Sequence, residues 1–205
     1  MATAFNKLGK FCIGRYFPRS IAAEDSFRGL MGLARDMCDD GRLHGQAVAN
    51  VSHAVAKMSA AGKLAANDAD VPGTRAALEK RVGLVASKME SQQVANSIWS
   101  FATLGRMPGA GAMPALEVAV VRFGPSMNVQ DISSTVLAYG KLGMMPGVAA
   151  WAALEAAVVR EGPCGTNTQA VANTLWGVST LDEIGILLTS TRCPVETHLT
   201  ATTSV

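Results

Sequence analysis

Long apolar runs and aromatic side chains are what this sequence has least of. The longest apolar run near the end of the chain, 184–188, falls far short of the roughly 18 to 20 residues that a membrane-spanning helix needs. Aromatic residues make up 5% and charged residues 17% of the 205 positions, whereas hydrophobic residues make up 49%. That apolar content excludes wholesale disorder. We therefore expect no membrane insertion, and we expect helices that approach one another on abundant Ala and Gly.

Cysteine is also sparse, and its spacing excludes two common uses. The four cysteines are Cys12, Cys38, Cys164 and Cys193, without a C-x-x-C pair and without a secretory leader. Disulfide frameworks and zinc knuckles need paired, closely spaced cysteines. The sequence therefore predicts reduced thiols and no metal site.

Motifs for enzymatic chemistry are absent as well. The sequence contains no P-loop, no G-x-S-x-G and no H-E-x-x-H, and the glycine-rich stretch 105–113 follows a predicted helix instead of a strand. His44 and His198 each lie near a Cys and an acidic residue, but each forms one local cluster without metal-ligand spacing. We expect no enzyme, no cofactor and no small-molecule substrate.

Charge is distributed unevenly along the chain. The net charge is only +2, yet residues 1–66 carry nine Lys or Arg against five Asp or Glu, and residues 128–205 carry three against six. No acidic residue precedes Glu24. A basic, acid-free N-terminus is typical of organelle transit peptides. Residues 1–23 are therefore either a transit peptide or a disordered N-terminus, which predicts a mitochondrial or chloroplast location, or otherwise a cytoplasmic one.

An internal repeat organises most of the chain. Four segments align without a gap: "VANVSHAVAKMS" (48–59), "VANSIWSFATLG" (94–105), "ISSTVLAYGKLG" (132–143) and "VANTLWGVSTLD" (171–182). A second segment puts Leu78, Leu116 and Leu154 at steps of 38 residues, each followed by a glutamate whose role stays open. A fixed period of this size indicates stacked supersecondary units.

Each repeat predicts two helices. In the first helix, Val94, Ile98 and Phe101 follow the spacing of an apolar stripe. Asn128 with Asp131 predicts an N-terminal cap, whereas Gly105 and Gly143, followed by Pro108 and Pro146, predict helix ends. The second helix is rich in Ala and Val and is apolar on most faces, so neighbouring repeats must cover it.

These features predict an all-α protein, a short α-solenoid of about four helix-turn-helix repeats of roughly 38 residues. The array occupies 46–182. An N-terminal capping helix region occupies 24–45, and an irregular or disordered tail occupies 183–205.

The motif "VANSIWSFATLG" and its copy at 171–182 resemble the octotricopeptide repeat of algal organelle proteins. The pattern is also similar to the helical repeats of FAST-kinase-like and RAP-associated proteins. This resemblance implies an α-solenoid that binds single-stranded RNA in organelle RNA processing, stability or translation, with other repeat proteins of an RNA-processing complex as further partners. His53 and Leu137 stand where the pattern has Trp, and no RAP domain follows the repeats.

The polar side of each first helix supplies the candidate RNA contacts. Positions three apart share a helix face, so the sequence predicts a short row in each repeat, stacked into a ladder. Helical repeats of this kind read about one base per repeat with two or three side chains. The rows are Ser97, Ser100 and Thr103; Thr135, Ala138 and Lys141; Thr174, Gly177 and Thr180; and Val51, Ala54 and Lys57.

Other candidates surround these rows. Lys57, Lys141 and Arg106 are expected to hold phosphates. Asn96 and Asn173 are helix-interior amides that either bond between repeats or contact a base edge. The tryptophans are expected to pack in the core in preference to stacking on bases. Because helical solenoids also bind proteins, an interaction scaffold without RNA binding remains the alternative.

Overall fold

The computed structural model describes residues 1–11, 20–65, 68, 70–109, 111–162 and 167–183. These residues form helices and connecting turns, and no strand occurs among them. The all-α prediction is therefore confirmed. The predicted tail 183–205 lies outside the described residues, apart from Glu183.

Nine α-helices follow one another in the described part of the chain. Three-residue 3₁₀ turns lie between some of them, at Ala86–Lys88 and Gly124–Ser126. The helices are α1 (Ala2–Phe11), α2 (Asp25–Asp39), α3 (Gly45–Ala60), α4 (Val71–Val85), α5 (Ser91–Thr103), α6 (Ala112–Phe123), α7 (Val129–Leu142), α8 (Val148–Glu161) and α9 (Thr168–Glu183).

The helices are arranged in two layers. Helices α1, α3, α5, α7 and α9 pack side by side in one layer, which we call layer A, and α2, α4, α6 and α8 pack side by side in the other, layer B. Within a repeat the two helices also contact each other, as α3 does α4 and α5 does α6. This is the solenoid arrangement expected from the period, in which each repeat contacts only its neighbours. We number the repeats 1 (α3, α4), 2 (α5, α6), 3 (α7, α8) and 4 (α9).

The N-terminal pair α1 and α2 extends both layers by one unit. Helix α1 packs on α3, with Phe5 and Gly9 buried, and α2 packs on α4, with Met31 and Ala34 buried. The sequence assigned 1–23 to a transit peptide or a disordered N-terminus. The structure describes a helix over 2–11 within that range, and the transit peptide stays a prediction.

Helices end where the glycines predicted. Gly105 and Gly143 have φ values of 62° and 61°, in the left-handed region. The backbone N–H that follows each glycine donates back across the last turn, from Arg106 to Phe101 and from Met144 to Tyr139. At the start of α7, the Asn128 side chain accepts a hydrogen bond of 2.9 Å from the Asp131 N–H, as the sequence predicted.

Layer A is held together by close contact between small residues. A β carbon on Gly9 would stand 3.2 Å from the Ala54 α carbon, and one on Gly140 would stand 2.9 Å from the Gly177 α carbon. When Met1 of α1 is aligned with the first residue of each segment, both contacts join the ninth position of one helix to the seventh position of the next. The paired positions of successive layer A helices are small: Gly9, Ala56, Ala102 and Gly140 at the ninth, and Ala54, Ser100, Ala138 and Gly177 at the seventh.

Layer B is tied to the turns by two recurring polar contacts. The carboxylate of Glu79 accepts a hydrogen bond from the Gly109 N–H, and Glu117 accepts one of 3.1 Å from the Gly147 N–H. Each glutamate therefore reaches the turn between the two helices of the next repeat. This contact supplies the role that the sequence left open for these glutamates.

Arginines make the second contact, in the opposite direction along the chain. Arg122 donates to the Ser87 carbonyl (2.9 Å), and Arg160 donates to the Gly124 carbonyl (2.9 Å) and to the Met127 carbonyl. Both side chains thus bind carbonyls in the turn that ends the preceding repeat.

Candidate nucleic-acid interface

The first two positions of the predicted rows are mostly buried, whereas the last positions, Lys57, Thr103, Lys141 and Thr180, are partly or fully exposed. Ser97, Ser100 and Thr135 are all fully buried, so the expectation that they form an exposed polar row is wrong. The reason is the packing of layer A: Ser100 occupies the seventh position of its segment, where helices meet on small side chains. Ala138, Gly177, Val51 and Ala54, the apolar members of the rows, are buried in the same way.

The buried hydroxyls are satisfied inside their own helices. Ser97 Oγ donates to the Gln93 carbonyl at 2.8 Å, and Thr135 Oγ1 donates to the Asp131 carbonyl at 2.7 Å. Ser100 Oγ donates in the same manner to the Asn96 carbonyl. A hydroxyl that bonds the carbonyl four residues earlier has no need of solvent or ligand, which allows it to lie between helices.

The other predicted residues divide by exposure. Thr103 is partly buried, with its hydroxyl oxygen enclosed, and Thr174 is partly buried on α9. Thr180 Oγ1 donates to the Trp176 carbonyl at 2.8 Å. Arg106 is exposed, but its guanidinium lies 3.9 Å from the Glu79 carboxylate in the turn after α5, which places it beside layer B.

The structure brings together a partly different set of residues on layer A, which retains Lys57, Asn96, Thr103, Lys141, Asn173 and Thr180 of the predicted candidates. Helices α3, α5 and α7 are each covered by two layer A neighbours and by layer B, so one side of each remains open, and the corresponding side of the end helices α1 and α9 is open as well. Residues two before, two after, five after and nine after the aligned Val or Ile lie on that side, and we call them the layer A stripe. The stripe consists of Thr3, Asn6 and Lys10 on α1; Gln46, Asn50, His53 and Lys57 on α3; Gln92, Asn96, Trp99 and Thr103 on α5; Gln130, Ser134, Leu137 and Lys141 on α7; and Gln169, Asn173, Trp176 and Thr180 on α9.

Glutamine occupies the first stripe position of all four repeats. Two of these glutamines bond the next stripe residue: Gln130 Nε2 donates to Ser134 Oγ at 3.0 Å, and Gln169 Nε2 donates to Asn173 Oδ1 at 2.8 Å. Residues four apart lie one above the other on a helix, which makes this contact available in each repeat. In repeats 3 and 4 the glutamine therefore orients the side chain that follows it on the stripe.

The asparagines singled out from sequence lie on this stripe. Asn96 is partly buried, and the described residues give its side chain no hydrogen bond. Asn173 Oδ1 accepts a hydrogen bond from Gln169 of its own helix, and its Nδ2 has no hydrogen bond to the described residues. The sequence left two interpretations of these amides, a bond between repeats or contact with a base edge. For Asn173 the described residues show a bond within its own helix and none between repeats.

Aromatic rings occupy the third stripe position of repeats 1, 2 and 4, and Leu137 occupies it in repeat 3. The His53 and Trp99 rings lie 4.7 Å apart, tilted by 47°, across the contact between repeats 1 and 2. Trp99 packs partly against the core, whereas Trp176 is 49% exposed. The expectation of core packing therefore fits Trp99 in part, and Trp176 presents half of its surface to solvent.

His53 is held in its neutral form. Desolvation, together with the nearby Lys57 ammonium, lowers the pKa of its imidazole from 6.5 to about 4. Nδ1 is enclosed without a hydrogen-bond partner among the described residues. The ring is therefore an uncharged planar surface at neutral pH.

The charge of the stripe has one sign. Lys10, Lys57 and Lys141 occupy its last position, and none of its residues in the described helices is acidic. A cationic strip beside amide and aromatic groups favours a polyanion that also carries planar groups.

Other kinds of site are not found in the described ranges. No group of three or more His, Cys, Asp or Glu side chains within them converges to hold a metal ion. None of the described helices combines the length and apolar character needed to cross a membrane.

Comparison with protein-family models gives no match, and comparison with curated proteins gives none either.

Proposed function

We propose that the protein binds single-stranded RNA along the layer A stripe. The observation that carries this proposal is the composition of the stripe, where amides, aromatic rings and lysines share one exposed side of consecutive helices without a carboxylate among them. Proteins that bind single strands combine a positive groove with aromatic rings on which bases stack.

In this proposal the second, third and last stripe positions have distinct roles. Trp99, Trp176 and the neutral His53 ring offer planar surfaces for bases. Asn96 and Asn173 offer amides for base edges, because an amide can pair with base donors and acceptors. Lys57 and Lys141 offer cations for phosphates. One layer A helix then accompanies roughly one nucleotide, as in other helical repeats.

The same proposal covers the biological setting that the sequence resemblance implies. An octotricopeptide-like array with a basic N-terminus is consistent with a role in RNA processing, stability or translation inside a mitochondrion or chloroplast. Further repeat proteins of an RNA-processing complex are the partners that this setting supplies.

Affinity is expected to be modest for the isolated chain. Four repeats that each contribute ~1–3 kcal/mol of base contact give ~4–12 kcal/mol. Association costs of ~4–15 kcal/mol offset most of that. We therefore expect micromolar or weaker dissociation constants at physiological salt.

Fluorescence anisotropy with a labelled single-stranded RNA at several salt concentrations tests the proposal. If three lysines contact phosphates, the logarithm of the association constant should fall with the logarithm of salt with a slope of about −2. Replacing Lys57 and Lys141 together by Ala should reduce the slope by about 1.4.

Lys80→Ala is the matched control, because Lys80 is an exposed lysine on α4 in layer B. It should leave the slope unchanged. Absence of binding at low salt, or equal effects of the Lys80 variant and the double variant, would overturn RNA binding by the stripe.

One observation favours a second function, a protein-interaction scaffold. Layer B exposes large apolar side chains on two neighbouring helices: Leu84 on α4 is 64% exposed and Val118 on α6 is 68% exposed. Exposed apolar residues grouped on one face often mark protein contacts. Replacing Leu84 and Val118 by Ser should abolish capture of protein partners and leave RNA affinity unchanged. Unchanged capture would remove this candidate.

A further inference from the structure

Repeats 2 and 4 present the same four side chains on the layer A stripe. Gln92, Asn96, Trp99 and Thr103 stand on α5, and Gln169, Asn173, Trp176 and Thr180 stand in the same order on α9. Identical side chains in the same register on two parallel helices of one solenoid should contact a ligand in the same way. We call the stripe residues of one repeat a rung, and repeats 2 and 4 therefore have rungs of one class.

Repeats 1 and 3 form another class. Their third stripe positions hold His53 and Leu137, which offer smaller surfaces than an indole, and their last positions hold Lys57 and Lys141. A lysine at this position is suited to phosphate, which carries no sequence information. The two classes alternate along the array.

The rungs of repeats 2 and 4 are suited to purines for two reasons. The indole offers the largest stacking surface among the side chains at this position, and a purine has the larger π-face to place on it. In repeat 4, Gln169 Nε2 donates a hydrogen bond of 2.8 Å to Asn173 Oδ1, which leaves the Nδ2 donors of Asn173 for a ligand. Both adenine and guanine carry an N7 acceptor, which pyrimidines lack.

We infer that the stripe prefers purines at alternate nucleotides, purine–any–purine, with the two purines on repeats 2 and 4. This inference rests on the proposed RNA binding and names the RNA class that the same stripe selects. The pattern reads the same from either end, so it does not depend on the direction in which the strand lies on the array.

Two adenine-containing heptanucleotides of equal composition test the spacing alone. The probes are UUAUAUU, with the adenines separated by one nucleotide, UUAAUUU, with the adenines adjacent, and UUUUUUU as the reference, each measured by anisotropy at low salt. Only the first probe places adenines on both repeats at once. It should bind about fivefold more tightly than the adjacent-adenine probe.

Substitutions taken from the chain's own equivalent positions locate the effect. Trp99→His with Trp176→Leu gives repeats 2 and 4 the side chains that repeats 1 and 3 already carry. The two adenine probes should then bind within about twofold of each other, while the salt-dependent binding from the lysines persists. Leu137→Trp, a second and independent variant, adds a platform to repeat 3 and should raise the affinity of the adjacent-adenine probe about fivefold.

The outcomes separate the inference from the proposal beneath it. Binding of all three probes with equal affinity for the two adenine probes would overturn the alternate-purine pattern and leave RNA binding intact. Failure of every probe to bind at low salt would overturn RNA binding itself, and the pattern with it. Circular dichroism of each variant checks that its helix content equals that of the unaltered protein.

Discussion

Gly140 and Gly177 bring α7 and α9 to backbone distance, since a β carbon on Gly140 would stand 2.9 Å from the Gly177 α carbon. From the other side, a β carbon on Gly177 would stand 2.7 Å from the Val136 carbonyl oxygen. Neither contact involves the flexible end of a side chain, so neither helix can admit a methyl group without moving. The separation of repeats 3 and 4 is therefore set by two missing side chains.

Gly177→Ala should destabilise the protein by about 1–3 kcal/mol, because overpacking displaces the two helices. Thermal unfolding monitored by circular dichroism should show a midpoint several degrees lower. Gly29→Ala is the control: Gly29 is an exposed helical glycine of α2 with nothing within 4 Å of the added carbon. That change should stabilise the protein by about 0.5–1 kcal/mol. A stabilising Gly177→Ala would contradict the close helix contact.

Glu117→Ala should lower the free energy of unfolding by about 0.5–1.5 kcal/mol, the net value of one hydrogen bond. The lost bond joins the Glu117 carboxylate to the Gly147 N–H, so the Gly147 amide should also exchange its hydrogen faster with solvent. Urea unfolding and amide exchange by NMR measure the two effects.

Glu155→Ala provides the comparison for that variant. Glu155 has the same register on α8 and is exposed, and the described residues give its carboxylate no hydrogen bond. Its replacement should change neither quantity. Slow exchange at Gly147 in the Glu117→Ala protein would show that the carboxylate does not protect this turn.

Acidification should weaken the fold through His53. Its folded pKa of about 4 lies below the ordinary 6.5, so the unfolded chain binds the proton more readily. The stability associated with neutral His53 is thus fully present above pH 6.5 and is lost as the pH falls toward 4. The full shift corresponds to about 3 kcal/mol, and solvent at the partly exposed ring reduces this to about 1–2 kcal/mol.

The difference between the unaltered protein and His53→Gln isolates this contribution, because carboxylates that titrate in the same range are common to both. Urea unfolding at pH 7 and pH 4.5 should show a smaller loss of stability in the variant. Equal losses would contradict a neutral, desolvated His53, as would an NMR titration midpoint near 6.5.

Ser97→Ala with Ser100→Ala should leave RNA affinity unchanged, because both hydroxyls are buried and bonded inside α5. Asn96→Ser with Asn173→Ser should weaken binding of a purine-containing RNA several-fold, because it removes the amides proposed to contact base edges. The variant should fold, because repeat 3 already has a serine at this stripe position. Anisotropy at one salt concentration compares the two pairs. If the Ser97→Ala, Ser100→Ala variant has the larger effect, the row predicted from sequence binds RNA and the proposed role of the stripe is wrong.

The sequence predicts the fold well because its period repeats the physical signals. Gly105 and Gly143 recur at the same offset, and each adopts the left-handed conformation that ends a helix. Leu116 and Leu154 recur at 38 residues, and both are fully buried. Agreement of several local signals at one spacing is strong evidence for a repeat fold.

The exposed face of layer A could not be predicted in the same way. On α5 the polar residues Ser97 and Ser100 lie next to Asn96 and Trp99, so periodicity alone does not say which pair faces water. Tight helix contact reverses the usual order, because it buries small hydroxyls and leaves the larger Trp partly exposed. The glutamine two positions before each aligned Val or Ile was the available signal, since a long amide in all four repeats marks a surface position.

Helix α1 was missed for a different reason. It lacks the Ala-Asn and Trp of the repeat motif and retains only a small residue, Gly9, at the position where layer A helices meet. One small residue in a basic segment carries too little information to place a helix in an array.

The reach of Glu79 and Glu117 into the following repeat has a consequence for dividing the chain into fragments. A fragment that stops at the boundary suggested by the sequence period, near residue 126, retains Glu117 but loses the Gly147 amide that it binds. A fragment that stops beyond Gly147 keeps that bond. Fragments of this protein should therefore end in the turn between the two helices of a repeat, one helix later than the repeat boundary that the sequence period suggests.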